Sequence, residues 1–489
     1  MTARITILGA GPGGYVAAIR AAQLGAEVTL IERDNIGGVC LNWGCIPTKT
    51  IKTTTDLMAG LNKASELGLE IEGRATVNLD RLMRRKKEVI EAQTTGILKL
   101  LKSYKVRYLR GHGHVLDAQR VRVEPATGGP LEIVSDKLIL ATGSRPLALK
   151  AFPFDGRRIL SSSDALNLQK IPASICIVGG GVIGCEFAFI FAGLGSRVVV
   201  VEALARLLPL PGIDQECSKV LEREMKKRRI QFLVNRVVEK AEIMEDRARV
   251  TIAASPFADE PKVKNAPPLL EEVETVLVSI GRDSNARGLG LEALGLEMDD
   301  RGWIAADARM ETNIPGVYAI GDALGPAKVM LAHVASAEGL TAAENALGAG
   351  REMNYDVIPS AVFTTPEVGC VGLTEELARA RGRDVRSEIL HFRGLGKAQV
   401  LGEIAGHVKI VADRKSGRLV GVHIIGPHAT DLIAEGTLAV RMGATLEDLA
   451  STIHAHPTLP EALMEVAHKA LGAPIHSARE TAGEAGRGH

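Results

Sequence analysis

Residues 37–49 read Gly-Gly-Val-Cys-Leu-Asn-Trp-Gly-Cys-Ile-Pro-Thr-Lys, placing Cys40 and Cys45 five positions apart and Lys49 one helical turn beyond the second. On a regular α-helix, residues five apart have Cα atoms about 8.7 Å from each other. A disulfide closes only below roughly 7 Å. A bond between these two cysteines therefore requires a distorted turn, which Gly44 and Pro47 make available. A strained, locally closed disulfide is the readily reduced kind. The same spacing also fits two buried thiols that never meet. A second concentration of reactive side chains is His454-Ala-His456-Pro-Thr-Leu-Pro-Glu461. It admits three readings. Thr458 and Glu461 fit a capping box opening the last helix. His454 and His456 fit a metal pair, although no third ligand stands at sensible spacing. A histidine base oriented by Glu461 is the third.

The elements that must position these groups start at the N-terminus. Residues 4–8 predict a buried parallel strand, followed by Gly9-Ala-Gly11-Pro-Gly-Gly14, a helix to about Leu24, and a second strand ending in Glu32. Strand, GxGxxG, helix, strand and acid together are the dinucleotide-binding fingerprint. Gly9 permits the tight turn, Gly11 lets backbone approach a pyrophosphate, and Gly14 lets helix and strand pack closely. Glu32 is placed to accept hydrogen bonds from a ribose diol. Gly179, Gly181, Gly184 and Glu202 repeat this pattern at a constant offset of 170 residues (179 − 9). Two such patterns in register predict two bound dinucleotides on two Rossmann-type units. A thiolate does not readily accept hydride, so a flavin is needed between a dithiol and a nicotinamide. The unit next to the cysteines is expected to hold FAD and the later one NAD, because the Glu202 carboxylate repels a 2′-phosphate. Arg206 is close to Glu202 but single.

Lys137–Leu140, Thr275–Ile280 and Gly316–Ile320 predict strands that look split off from the first unit, as if the second were inserted into it. From about residue 351 hairpin signals dominate, with Ile404–Val411 and Leu419–Ile425 flanking a turn, then helices at Asp431–Met442 and Pro460–Leu471. The predicted class is α/β, with two Rossmann-like domains and a C-terminal α+β domain. A net charge of +1 favours neither nucleic acid nor an anionic membrane as partner. Six cysteines in 489 residues are too few for a disulfide framework and fit a reducing, cytoplasmic setting. The apolar stretches 5–19 and 175–195 read as strand, glycine turn and helix, without a signal peptide or membrane span. No metal site is expected. The Gly/Glu/Arg-rich residues 476–489 predict a disordered tail.

Taken together, the Gly37–Lys49 stretch, both glycine fingerprints, Ala141-Thr142-Gly143, Gly321-Asp322, Met330-Leu331-Ala332-His333 and His454–Glu461 resemble the pyridine nucleotide-disulfide oxidoreductases across essentially residues 3–475. The resemblance implies an FAD domain (1–150 and 280–350), an NAD domain (151–279) and an interface domain (351–475). It implies a homodimer in which the histidine loop of one subunit completes the cysteine site of the other. Cys40 is then the thiol that exchanges with substrate and Cys45 the thiolate against the flavin. His456 is the base and Glu461 its orienting carboxylate. Lys49 and Glu186 look like the family pair at the flavin–nicotinamide contact. Gly113, Thr142, Gly143, Asp322 and Met330, Leu331, Ala332, His333 would contact FAD, while Glu202, Val237 and Gly281 would contact NAD. The implied reaction is NAD-linked oxidation of dihydrolipoamide carried on lipoyl domains of a 2-oxo acid dehydrogenase complex or glycine cleavage system. The alternative is a family disulfide or metal reductase consuming NAD(P)H, although no cysteine pair follows Cys370 as a mercuric reductase would require. Asp283-Ser284, Thr365 and Pro460 depart from the family pattern without touching a reacting group.

Overall fold

The computed structural model describes residues 2–476. From residue 477 on, the tail expected to be disordered lies outside the described residues. The chain divides into two compact units, one ending at Ile171 and resuming over Ile280–Tyr355, the other comprising Pro172–Ser279 and the chain from Asp356 on. Residues 151–171, grouped above with the NAD segment, lie in the first unit.

In the first unit a parallel sheet runs in the order Val317–Ala319, Lys137–Leu140, Arg4–Leu8, Glu27–Glu32 and the start of Arg107–Asp117. Ile5, Ile7, Leu30, Ile31 and Ile139 are fully buried, as strands covered on both faces must be. Past Arg110 the last strand pairs antiparallel with Arg120–Pro125, which pairs in turn with Leu131–Val134. Helices Pro12–Gln23 and Ala332–Ala346 pack closely on each other. Their approach depends on glycine, because a Cβ on Gly339 would stand 2.5 Å from the Gly13 carbonyl oxygen. Asn78 caps the long helix Leu79–Ser103 by accepting from the Arg81 N–H at 3.0 Å.

The second unit repeats the parallel core, in the order Gln231–Leu233, Arg197–Val201, Ser174–Val178 and Thr275–Val278. The last pairing corrects the expectation for Thr275–Ile280. That segment extends the second sheet beside Ser174–Val178, whereas Lys137–Leu140 and Val317–Ala319 do join the first sheet. An antiparallel excursion over Arg236–Ile243, Ala248–Ala254 and Leu269–Val273 precedes it. The C-terminal part of this unit is an antiparallel sheet ordered Ser360–Val362, Glu367–Gly372, Leu419–Gly426, His407–Asp413, Val385–His391. Helices Ala429–Met442 and Glu461–Ala470 pack on it. Among the described residues no helix is long and apolar enough to cross a membrane.

Candidate redox site

The distorted turn required by the cysteine spacing is present. Helix Gly38–Trp43 ends at Gly44, whose φ of −146° and ψ of −111° leave helical space, and a new helix, Cys45–Leu61, starts at the next residue. A side chain at Gly44 would bring its Cβ to 3.0 Å from the Val39 carbonyl oxygen. Thr48 secures the second helix by donating its hydroxyl to the Gly44 carbonyl at 2.6 Å. The break brings the Cys40 and Cys45 thiols into hydrogen-bond contact, and that bond, aided by burial, pushes Cys40 up. The charge of Lys49 acts the other way and favours the Cys40 thiolate. Two residues not picked out from the sequence join this group. Burial pushes the Tyr15 hydroxyl up, and the charge of Cys40 adds to the rise. The Arg282 guanidinium is held down by burial while Asp322 and Cys45 support its charge.

The two glycine loops separate into packing positions and open positions. Gly9 has φ +105°, and a Cβ there would lie 2.1 Å from the Ala141 carbonyl oxygen. Cβ atoms on Gly14 and Gly184 would lie 1.9 and 1.8 Å from the carbonyl oxygens of Gly9 and Gly179. Gly11 and Gly181 have nothing within 4 Å of where a Cβ would project, so at these residues the backbone is open to a ligand. The acids hold equivalent positions. Glu32 accepts from the N–H groups of Ala10 (2.7 Å) and Asp34 (2.8 Å). Glu202 accepts from those of Gly180 (2.6 Å) and Leu204 (2.8 Å). Arg206 donates to the carbonyls of Leu208, Leu210 and Ile213 and to the Ser218 hydroxyl, so its guanidinium is committed to its own loop.

Around the first loop, the Thr142 hydroxyl is buried without a hydrogen-bond partner. Asp322 accepts from the Ser144 hydroxyl and lies 3.4 Å from the Arg282 guanidinium. Gly143 has φ +69° and open space at its Cβ position. Met330, Leu331 and Ala332 are half-buried at the start of helix Ala332–Ala346, with His333 exposed. Gly113 is a packing glycine, since a Cβ there would meet Leu8 at 2.4 Å. An orphaned hydroxyl beside open backbone at Gly11 fits FAD. Open backbone at Gly181 beside Glu202 fits a dinucleotide with an unphosphorylated ribose. Gly281, with φ +142°, lies in the first unit, next to the strand Arg282–Ser284 that pairs with Ser144–Pro146.

In the second unit His456 Nδ1 lies 2.8 Å from Glu461 Oε1, and the imidazole is 78% exposed. Glu461 Oε2 also accepts from the Thr458 N–H at 2.7 Å. Burial acts to raise the Glu461 carboxyl, but donation from Thr458 and His456 outweighs it and holds the group below the usual carboxylate range. Of the capping-box reading only the bond from the Thr458 N–H to Glu461 is made. The Thr458 hydroxyl donates to the Ala455 carbonyl instead, and the helix starts at Glu461 behind Pro460, whose backbone is already helical. A complete capping box stands one helix earlier, between Thr445 and Asp448. The metal-pair reading of His454 and His456 also fails. His454 places Nδ1 2.8 Å from the Thr452 carbonyl and Nε2 2.8 Å from Glu435, and no group among the described residues is suited to a metal ion. Glu186 is buried and accepts from the Phe363 N–H at 3.0 Å. Val237 is half-buried on the strand paired with Ala248–Ala254.

Residues 3–339 match the family described as pyridine nucleotide-disulphide oxidoreductase, and residues 358–467 match the dimerisation domain of that family. The chain belongs to this family. It is 41% identical to a dihydrolipoyl dehydrogenase of Chlamydia muridarum over 472 residues, covering 96% of this chain and 97% of the relative. It is 40% identical, with 96% of each chain covered, to the dihydrolipoyl dehydrogenase of Geobacillus stearothermophilus. Among solved structures, LpdA from Mycobacterium tuberculosis superposes with a TM-score of 0.87 at 30% identity, covering 96% of this chain and 100% of that one. The HOCl-induced flavoprotein disulfide reductase RclA from Escherichia coli gives 0.80 at 25% identity, covering 95% and 99%.

Proposed function

We propose that this chain oxidises protein-bound dihydrolipoamide with NAD as acceptor, through the Cys40–Cys45 pair and bound FAD. The observation that carries the reading is the break at Gly44, which sets two thiols in contact beside Tyr15, Lys49 and Arg282. The relatives named dihydrolipoyl dehydrogenase support the choice of substrate.

In this reading His456, held by Glu461, takes a proton from one substrate thiol, since the thiolate is the nucleophile. That thiolate attacks Cys40 in the oxidised pair, and Cys45 departs as a thiolate favoured by the Arg282 charge. The second substrate thiol then displaces Cys40, its proton passing to the departing Cys40 sulfur, so the substrate leaves as a disulfide and the protein keeps the dithiol. FAD, held by the Gly9–Gly14 loop, Glu32, Thr142, Gly143 and Asp322, supplies two-electron transfer from that dithiol to the nicotinamide. The Gly179–Gly184 loop and Glu202 hold NAD. Arg206, committed to its own loop, is not free to welcome a 2′-phosphate. The protein works as a homodimer in which the His456–Glu461 pair of one subunit serves the cysteines of the other. Its partners are lipoyl domains of a 2-oxo acid dehydrogenase complex or glycine cleavage system.

A substrate panel tests this reading. Dihydrolipoamide with NAD is expected to turn over at least 100-fold faster than glutathione disulfide or Hg²⁺ with NADPH. The reverse order would replace the proposal with the reductase alternative.

A further inference from the structure

Four cysteines take no part in the chemistry above, and two of them are in contact. Cys217 lies in the first turn of helix Gln215–Lys227, three residues after its N-cap Asp214. Cys370 lies on strand Glu367–Gly372. Both are fully buried within the second unit. The two thiols lie close enough to shift each other's titration, Cys217 upward and Cys370 downward. In the antiparallel ladder Cys370 stands directly opposite His423, so the two side chains leave the same face of the sheet. His423 is completely buried, and its Nε2 lies 3.1 Å from the Leu373 carbonyl. Its Nδ1 is buried without a hydrogen-bond partner, on the ring that faces Cys370 across the ladder.

The surroundings favour charge on Cys370. The Asp214 N–H donates to this sulfur. Lys409 Nζ, at 3.0 Å from Asp214 and 3.2 Å from Glu375, offsets part of the carboxylate charge that would otherwise oppose a thiolate here. Burial alone raises a thiol, as it does for Cys176, pushed up to about 12, and for Cys185. Burial raises Cys370 too, but the interactions with Cys217 and His423 outweigh it and hold the group well below an ordinary thiol. Cys217 is pushed up correspondingly, first by its hydrogen bond to Cys370 and then by burial. Burial lowers His423, yet the contact with Cys370 leaves it raised overall. Two neighbouring buried thiols, one of them facing a buried imidazole with an unpartnered nitrogen across the ladder, make the constellation of an attacking and a resolving cysteine. Among the described residues no group fits a metal ion, which removes the other common use of Cys/His clusters.

We propose that Cys217 and Cys370 are a second redox dithiol, closed to a disulfide by hydrogen peroxide with His423 moving the proton. The Cys370 thiolate attacks one peroxide oxygen, the O–O bond breaks, and the departing hydroxide takes the His423 proton as water. This leaves a sulfenic acid on Cys370 and a neutral His423. Cys217 gives its proton to His423 and attacks the Cys370 sulfur. The S–S bond forms as the S–O bond breaks, and the second hydroxide leaves as water with that proton. Two thiols are oxidised and one peroxide is reduced to two waters. The product staples helix Gln215–Lys227, which follows the Glu202 loop, to strand Glu367–Gly372 of the C-terminal sheet. Hydrogen peroxide is small and uncharged, the kind of oxidant suited to a buried pair.

The test uses the holoprotein and no variant in its first arm. The protein is exposed to hydrogen peroxide, quenched in acidic denaturant, alkylated, digested without reductant and mapped by mass spectrometry. A Cys217–Cys370 linked peptide that disappears with dithiothreitol is expected. Cys217→Ser should stop the sequence one step earlier, giving a dimedone adduct on Cys370. His423→Gln should slow formation of the linked peptide at least tenfold. Recovery of Cys217 and Cys370 as separately alkylated thiols, at peroxide doses that close Cys40–Cys45 in the same sample, would overturn the proposal. So would Cys217→Ser giving no adduct while its circular dichroism matches the wild type.

Discussion

Glu461→Gln isolates what the carboxylate contributes beyond position. Glutamine is the same length and retains an oxygen for the Thr458 N–H, which the carboxylate now accepts at 2.7 Å. What it loses is the charge 2.8 Å from His456 Nδ1. A hydrogen bond to a charged partner is worth about 1.5–3 kcal/mol. Glu461 is largely shielded, with 14% of its side chain exposed, but the imidazole is 78% exposed, so solvent screening reduces that figure to about 1–2 kcal/mol. At 1.36 kcal/mol per tenfold, dithiol oxidation should fall about 5- to 30-fold. The assay is steady-state dihydrolipoamide oxidation with NAD, set beside NADH-to-dye transfer, which needs no proton from a substrate thiol and should change less than twofold. Equal losses in both reactions, or no loss in the first, would refute the role given to the pair.

Two neighbouring glycines should respond to alanine in opposite ways. Gly11→Ala projects into open space and should give a folded protein depleted in flavin, whereas Gly14→Ala puts a Cβ 1.9 Å from the Gly9 oxygen and should not yield folded protein. Flavin-to-protein ratio and circular dichroism separate the outcomes, and full flavin content in Gly11→Ala would contradict the assignment. Glu338 braces the Gly321–Asp322 turn by accepting from the Gly321 N–H and the Tyr355 hydroxyl, both at 2.6 Å. Burial raises its carboxyl from the ordinary 4.5 to about 7 despite those donors. The folded state thus binds this proton more tightly than the unfolded one, and stability present below about pH 4.5 is lost as pH rises through about 7, by ~3 kcal/mol. Glu338→Gln should flatten that part of a urea-midpoint profile between pH 5 and 8, and an unchanged slope would contradict it.

Much of this architecture is written locally and was readable for that reason. The glycine loops are complete within a strand, a turn and a helix, so their spacing alone sets Gly14 against the Gly9 carbonyl and leaves Gly11 open. The helix break at Gly44 is the one that a bond across the Cys40–Cys45 interval would require, the alternative of two thiols kept apart on one helix being the reading the structure removes. The errors arose where the deciding partner is remote. Thr275–Val278 is an apolar strand suited to either parallel sheet, and only its pairing with Ser174–Val178 decides which. Thr458 and Glu461 have capping-box spacing and the Thr458 N–H does reach the carboxylate, but the Thr458 hydroxyl turns back to Ala455 and leaves the other half unmade. Tyr15 sits in a helix whose apolar pattern explains it without chemistry, and Arg282 follows a glycine turn like many surface arginines. Cys217, Cys370 and His423 have no mutual spacing to notice, since helix and ladder geometry alone bring them together.

In the proposed reaction Cys40 and Cys45 carry electrons between a dithiol substrate and the flavin, with Cys45 next to the flavin. Anaerobic titration of the purified flavoprotein with dihydrolipoamide tests it most directly, read as visible absorbance. At two electrons per subunit the account predicts a long-wavelength thiolate–flavin band that is discharged by NAD and absent in Cys45→Ser. A wild-type protein that passes straight to fully reduced flavin without that band, or a Cys45→Ser variant that retains it, would contradict the account.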